Sequence, residues 1–326
     1  MKKFAIVYPV YNTADYLEES LNSILNQTYS HFEIFCVDDG STDNSLEILK
    51  TYQSHDSRIH VMTQGNKGQS AARNRALSTI RNGDKKFDYV LFIDSDDKIS
   101  PDFLQKCSTE NENADLIVTS IARFNNKGLV NDHRPTVQEQ LIDQKEFCLH
   151  YFKLQSWSNS STTNFLGVAN KCFKLSVIQE AVFDTSLRLA EDQDFILKVL
   201  MKLRTIKLLP SIYYYYRQRE SSVTHTYQYE GFSDNFYLYK KYLSNSEATE
   251  EIRQGIQSFY LKNLWSDVRA ILLSQLPLAS KKLCFKEAVE AINREFEFPL
   301  TTRERKHRCQ LNKGFFLNLL ISKFRR

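Results

Sequence analysis

Tyr89-Val90-Leu91-Phe92-Ile93-Asp94-Ser95-Asp96-Asp97 joins a β-rich apolar run to a polar cluster holding three carboxylates. Working outward, the same design recurs three times. Phe4 to Tyr8 leads into Pro9-Val10-Tyr11-Asn12, and Glu33 to Val37 leads into Asp38-Asp39-Gly40-Ser41-Thr42-Asp43. Arg58 to Thr63 is followed by Gly68-Gln69-Ser70-Ala71-Ala72-Arg73-Asn74. Helical stripes lie between these runs: Leu17, Leu21, Ile24 and Leu25 behind a Thr13 cap, then Leu46, Leu49 and Tyr52, then Ala72, Ala76 and Ile80. Strands alternating with helices predict βαβ units, a Rossmann-like α/β fold whose mainly parallel sheet is flanked by helices. In such a sheet the C-terminal ends of the strands share one edge, where ligands sit, so the four polar clusters should converge there.

Beyond Pro101 the pattern loosens. Leu116 to Phe124 reads as a strand, Gly128 to Gln144 as a polar loop, Lys145 to Leu154 as a helix, Glu191 to Leu203 as a helix and Ile206 to Arg217 as an aromatic strand. Helical patterns dominate from about Ser233. A boundary near Thr226 divides the chain into an α/β domain, 1–226, and a helical C-terminal region, 227–326.

Asp94 and Asp96 are one residue apart, so in an extended segment both point to one side and can hold a hard cation, with positions left for phosphate oxygens. Imidazole and thiolate are not clustered nearby, which favours Mg²⁺ or Mn²⁺. Tyr11 offers a ring for a base to stack on, and Asp39 an acceptor for a base imide or a ribose hydroxyl. Arg73, near a helix start, favours an anionic diphosphate. Each motif also has a plain alternative: Asp-Gly-Ser-Thr-Asp is a good turn and cap, and acids after a strand often form a solvated turn. Glu191-Asp192 opens a helix either as a capping pair or as the seat of a general base. Arg217, Arg219 and His225 follow the aromatic strand, where the arginines can meet a diphosphate and His225 is either a metal ligand or a surface residue.

As a set, and in this order, these motifs resemble the family 2 glycosyltransferases of the GT-A fold, of the bacterial cell-envelope type. The resemblance covers roughly the first 220 residues. It implies a metal-dependent transferase that inverts the anomeric configuration of a nucleotide sugar in one displacement. Pro9, Tyr11, Asp39, Gly68, Arg73, Asp94, Ser95, Arg217 and Arg219 would line the nucleotide sugar, with Tyr11 and Asp39 on the uracil. Asp94 and Asp96 would hold the ribose and the diphosphate with its Mn²⁺ or Mg²⁺, with His225 as a further ligand. Asp192, beside Glu191, would be the base. The implied partners are a UDP-sugar donor and a glycan or lipid-linked oligosaccharide acceptor of capsule, lipopolysaccharide, exopolysaccharide or teichoic acid. No Q-x-x-R-W element occurs, which points to transfer of a single sugar. Two other classes stay open. One is a non-catalytic nucleotide-sugar or glycan binder, against which the intact Asp94, Asp96 and Asp192 count. The other is a sugar-1-phosphate nucleotidyltransferase, whose Gly-rich loop is missing from Phe4 to Asn12.

Composition narrows the field further. With 42% hydrophobic and 25% charged residues the 326-residue chain is neither disordered nor a disulfide miniprotein. No G-x-G-x-x-G occurs among its nine glycines, which excludes the dinucleotide dehydrogenases. The six cysteines form no C-x-x-C pair, consistent with free thiols in a reducing compartment. Neither a membrane span nor a signal peptide is read, so the expected location is the cytosol, at most peripheral on the inner face of the plasma membrane. The net charge is only +4, yet Lys281 to Arg326 holds twelve Lys/Arg against five Asp/Glu, so the rest of the chain is net negative. Gly314 to Arg326 is apolar, too short to span a bilayer and ends in cations. It either lies in the membrane interface, docks on the protein itself or pairs with another copy; nucleic acid is not among the expected partners.

Overall fold

The computed structural model describes residues 1–109, 113–130, 139–153, 167–187, 189–219, 248–273 and 276–292, with isolated positions beyond 233. Strand β1 (Phe4–Val10) lies at the centre of the N-terminal half, and every one of its residues is buried. It pairs in parallel with β2 (Phe32–Asp38) and β4 (Tyr89–Phe92), while β2 pairs in parallel with β3 (Ile59–Thr63). Continuous apolar runs suit this position, because helices cover both faces of a parallel sheet. Helix α1 (Ala14–Leu25) buries Leu17, Leu21 and Ile24, and α2 (Ser45–His55) buries Leu49. Helix α3 (Gln69–Asn82) packs on β1 and β2 through Ala72, Ala76, Leu77 and Ile80.

The C-terminal half of the sheet departs from the parallel pattern. The full order is β3-β2-β1-β4-β9-β6-β10-β5, with β7 (Gly128–Leu129) beside β6 and β8 (Gln140–Asp143) beside β10. Strand β9 (Lys171–Lys174) runs antiparallel to both β4 and β6 (Leu116–Asn125), whereas β10 (Thr205–Arg217) is parallel to β6. The short β5 (Lys98–Ile99) pairs antiparallel with Tyr214 and Tyr215 of β10. Register shifts break the β10–β6 ladder between Leu209 and Tyr214, around Pro210, which has no N–H to donate. Three elements carried no sequence signal: β5, α4 (Phe103–Thr109) and β9, each too short for a period to show. The expected 128–144 loop contains β7 and β8 at its two ends.

The expected Thr13 cap is also corrected. Thr13 makes no side-chain cap bond; its hydroxyl donates instead to Ser95 Oγ at 2.9 Å. The cap comes from Asp43, whose Oδ2 accepts Ala14 N–H of α1 and whose Oδ1 accepts Ser45 N–H of α2, each at 3.0 Å. Burial opposes the Asp43 charge, but these hydrogen bonds win and hold its pKa below the usual carboxylate range.

The chain divides into two compact units. The first comprises 1–147, 157–186 and 191–219 and holds the whole sheet. The second comprises 148–156, 187–190 and 220–326. Within the second, α7 (Glu250–Leu273) packs with α8 (Leu278–Ile292), and Gly255 of α7 lies against Phe152 near the end of α5 (Gln144–Lys153). A Cβ at residue 255 would stand 2.1 Å from the Phe152 ring. Gly255→Ala, which would favour an exposed helix by ~1 kcal/mol, should here lower stability by about 1–3 kcal/mol through overpacking. Urea unfolding of the variant beside the wild type measures it, and a raised midpoint would contradict the contact.

Candidate active site

The ends of β1, β2 and β4 and the start of α3 meet at one edge, as βαβ geometry requires. Pro9 is buried two residues beyond Val7, the last residue of the β1–β4 ladder. Its part is therefore in the backbone, where a missing N–H lets β1 and β4 separate. Tyr11 stands just past the strand, 45% exposed, with its ring open to a stacking partner. Asp39 is buried and accepts three hydrogen bonds: Gln64 Nε2 at 2.9 Å, Lys67 N–H at 2.8 Å and Gly68 N–H at 2.7 Å. A carboxylate offers about four lone-pair directions, so Asp39 fastens this loop and keeps acceptor capacity for a base. Gly68 has φ +89°, a conformation that favours glycine, and it opens α3.

Residues 94–97 form a tight turn closed by Asp97 N–H to Asp94 C=O at 3.0 Å, so the extended-strand argument for two parallel carboxylates does not apply. The turn aims each acid differently. Asp94 Oδ1 accepts from Gln69 Nε2 at 2.8 Å and Arg73 Nη2 at 3.0 Å. Asp96 Oδ2 pairs with Arg219 Nε at 2.8 Å. Asp97 is fully buried and anchors the turn, accepting from the Tyr214 hydroxyl at 2.6 Å and Arg217 N–H at 2.8 Å. Ser95 is tucked under Thr13 and holds the two loops together.

Arg73 organises the other side. Only 2% exposed, its guanidinium reaches Asp94, Asp192 Oδ1 at 2.7 Å and Glu191 Oε1 at 3.5 Å, over the Phe183 ring. Burial lowers its pKa, but the Asp192, Asp94 and Glu191 charges outweigh that and raise it. Both terminal nitrogens of Arg73, the residue expected at the diphosphate, face protein carboxylates. Asn74 completes the arrangement through reciprocal 2.8 Å bonds with the Phe183 backbone, which seat that ring beneath Arg73.

Asp192 opens α6 (Glu191–Leu200), and its Oδ2 accepts the Val168 N–H at 3.1 Å. Helix α6 is fixed by Phe195, stacked on Phe183 at 4.2 Å and edge-on to Phe92 and Phe173. The amphipathic stripe that the sequence showed is what sets the direction of the acids.

Arg217, also expected at the nucleotide sugar, is buried with its guanidinium on Glu19, the Asp96 carbonyl and the Tyr16 and Phe124 rings, where it braces the turn. Arg219 stays at the site edge beside Asp96, 5.4 Å from the Tyr16 ring centroid. His225 lies outside the described residues. Gln69, Asp97, Tyr214 and Val168 contribute to the site without having been singled out. Gln69 had the signal of sharing a motif with Arg73, whereas nothing in sequence pairs Tyr214 with Asp97 or Val168 with Asp192.

Acids outnumber bases here. Burial, with the Asp94 charge adding and Arg219 opposing, raises Asp96, and burial with both neighbouring acids raises Asp97 further. Among the described residues no three His, Cys, Asp or Glu side chains are placed to hold a metal ion. The donor set is instead two hard carboxylates, Asp94 and Asp96, in a field of excess negative charge. That set fits Mg²⁺ or Mn²⁺ bound together with phosphate oxygens, and suits a softer metal poorly.

A βαβ half that ends in an acidic turn, continued by a mixed sheet and an acidic helix start, defines a GT-A fold. The chain superposes on the crystal structure of S. aureus TarS 1–349 in complex with UDP-GlcNAc with a TM-score of 0.71 and 20% identity, covering 98% of this chain and 89% of that one. The description of Glycosyl transferase family 2 matches residues 5–169. EpsH of Bacillus subtilis (strain 168), which carries a glycosyltransferase name, is 30% identical over 266 residues, 78% of this chain and 73% of EpsH. The poly(ribitol-phosphate) beta-glucosyltransferase of Bacillus spizizenii is 33% identical over 227 residues, 66% of this chain but only 32% of that protein. This chain belongs to glycosyl transferase family 2 and is a glycosyltransferase. Among the described residues no helix is long and apolar enough to cross a membrane.

Burial, with Asp192 adding and Arg73 opposing, raises Glu191 to about 7. A folded pKa above the unfolded value gives stability that is full below about 4.5 and lost as pH rises through 7. Glu191→Gln should therefore nearly match the wild type in unfolding free energy at about pH 4 and exceed it at about pH 8 by on the order of 3 kcal/mol. Urea titrations at the two pH values measure this; an equal difference at both would show that Glu191 does not titrate in this range.

Proposed function

We propose that this chain transfers one sugar from a UDP-sugar to a hydroxyl of a cell-envelope glycan or lipid-linked acceptor, inverting the anomeric centre, with Asp192 as general base. The observation that carries the reading is the Arg73 bridge, which links Asp94 on the donor side to Asp192 through a single guanidinium. Support for the donor comes from the TarS complex with UDP-GlcNAc, and support for the acceptor from the relative named for poly(ribitol-phosphate).

In this reading the uracil stacks on Tyr11 and its imide N–H donates to Asp39. Asp94 and Asp96, with His225 as the further ligand that the sequence offers, would hold Mn²⁺ or Mg²⁺, whose chemistry there is to neutralise the diphosphate. Arg219, beside Asp96, adds a cation near the leaving group. The acceptor oxygen attacks the anomeric carbon from the face opposite the diphosphate. The bond from that carbon to the β-phosphate oxygen breaks, UDP leaves with its electron pair, and the hydroxyl proton passes to Asp192. Displacement from one face inverts the configuration. The basic 314–326 tail would bring the enzyme to a lipid-linked acceptor at the membrane surface.

The test is UDP release by the full chain from a panel of UDP-, GDP- and dTDP-sugars with Mn²⁺. Release from a UDP-sugar should stop with EDTA, and Asp192→Asn should lower it about 10²- to 10⁴-fold while calorimetric UDP affinity is kept. Pyrophosphate release, or UDP uptake with no turnover of any donor, would replace the reading with a nucleotidyltransferase or a binder.

A further inference from the structure

Strand β9 enters the sheet antiparallel between β4 and β6, so its first residue stands opposite Val118 of β6, one position beyond the last β4 pair, Leu91 with Cys172. That residue is Lys171, only 1% exposed. Its Nζ donates to the Gly167 carbonyl at 2.6 Å and to Asn170 Oδ1 at 3.1 Å. Asn170, at φ +58°, is locked to β6: its carbonyl accepts the Thr119 N–H at 3.0 Å and the Thr119 hydroxyl at 3.1 Å, and its side-chain amide donates back to the Thr119 carbonyl. Residues 167–170 are thereby folded against Lys171. From this turn the Val168 N–H donates to Asp192 Oδ2.

We propose that Lys171 is a positioning residue for the transfer reaction, holding the 167–170 turn so that the Val168 N–H fixes Asp192 on the side opposite Arg73. The inference rests on Asp192 being the base. An ammonium is a costly group to bury without hydrogen-bond partners, and the Gly167 carbonyl and Asn170 Oδ1 are two of those that Lys171 has here. Burial pulls its pKa down to about 7, and the Asp192 charge opposes that fall. Asp192 is then gripped at Oδ1 by a guanidinium and at Oδ2 by a backbone amide, which sets the direction of its acceptor lone pairs.

The test is a double-mutant cycle on the full chain with Mn²⁺ and whichever donor of the panel gives the fastest UDP release. Lys171→Met should lower kcat about 10- to 100-fold, with KM and calorimetric UDP affinity within about twofold of wild type. In the Asp192→Asn background it should cost little more, because both changes act through one carboxylate. Lys171→Gln, which keeps an amide donor for the Gly167 carbonyl, should retain more activity than Lys171→Met; it replaces Lys171→Met in the cycle, on the same criteria, if the latter does not fold. A kcat within about twofold of wild type, or losses that multiply in the double variant, would overturn the role of Lys171 and leave the base assignment standing. Near-wild-type release by Asp192→Asn would overturn the base assignment itself. No release from any donor by the wild type would overturn the functional reading and this inference together.

Discussion

One guanidinium sits where three elements meet. Arg73 comes from the first turn of α3, Asp94 from the turn after β4, and Glu191 with Asp192 from the start of α6. Without a buried cation these carboxylates would repel one another in a medium that screens poorly, and at least one would have to take up a proton. With it, residues separated by about 120 positions along the chain are drawn into one cluster. The aromatic floor of Phe92, Phe173, Phe183 and Phe195 gives that cluster a rigid, water-poor base.

Many of the polar residues at the sheet edge serve architecture, and this is what leaves the remaining ones well aimed. Asp43 caps two helices, Asn74 clips the Phe183 segment, Asp97 closes the turn after β4, and Arg217 braces that turn from behind. Each of these four finds its hydrogen-bond partners within the edge, as the cost of leaving a buried polar group unpaired favours. Among the described residues Tyr11 is exposed, while Asp94, Asp96 and Arg219 stay partly open. In the proposed reading, the surplus of negative charge among them is what a divalent cation would offset beside the anionic part of a nucleotide.

Local patterns located most of the first hundred residues. Strand β1, helix α1 and strand β4 have unbroken or periodic apolar runs that a few turns of chain suffice to define, and the helix beginning at Glu191 was visible from Phe195, Ile196, Val199 and Leu200 alone. The strands β5, β8 and β9 were not visible, because two to four residues carry no period and their place depends on which neighbour offers an open ladder. In the site, a motif was enough to gather Asp39, Asp94, Arg73 and Asp192 at one edge, but not to say what each touches. Arg217 and Arg219 look alike in sequence, yet one turns inward to Glu19 and the other lies beside Asp96.

By itself the sequence determined the alternation of strand and helix, and with it the convergence of polar strand ends on a single edge, because side-chain period and the succession of elements along the chain are properties of short segments. The tertiary structure alone decided the pairings. Arg73 goes to carboxylates and not to open solvent, Asp94 and Asp96 part company at a turn, and Lys171 closes the turn whose Val168 N–H meets Asp192. These are contests among donors and acceptors far apart in the chain, settled by burial and distance, and no local pattern encodes their outcome.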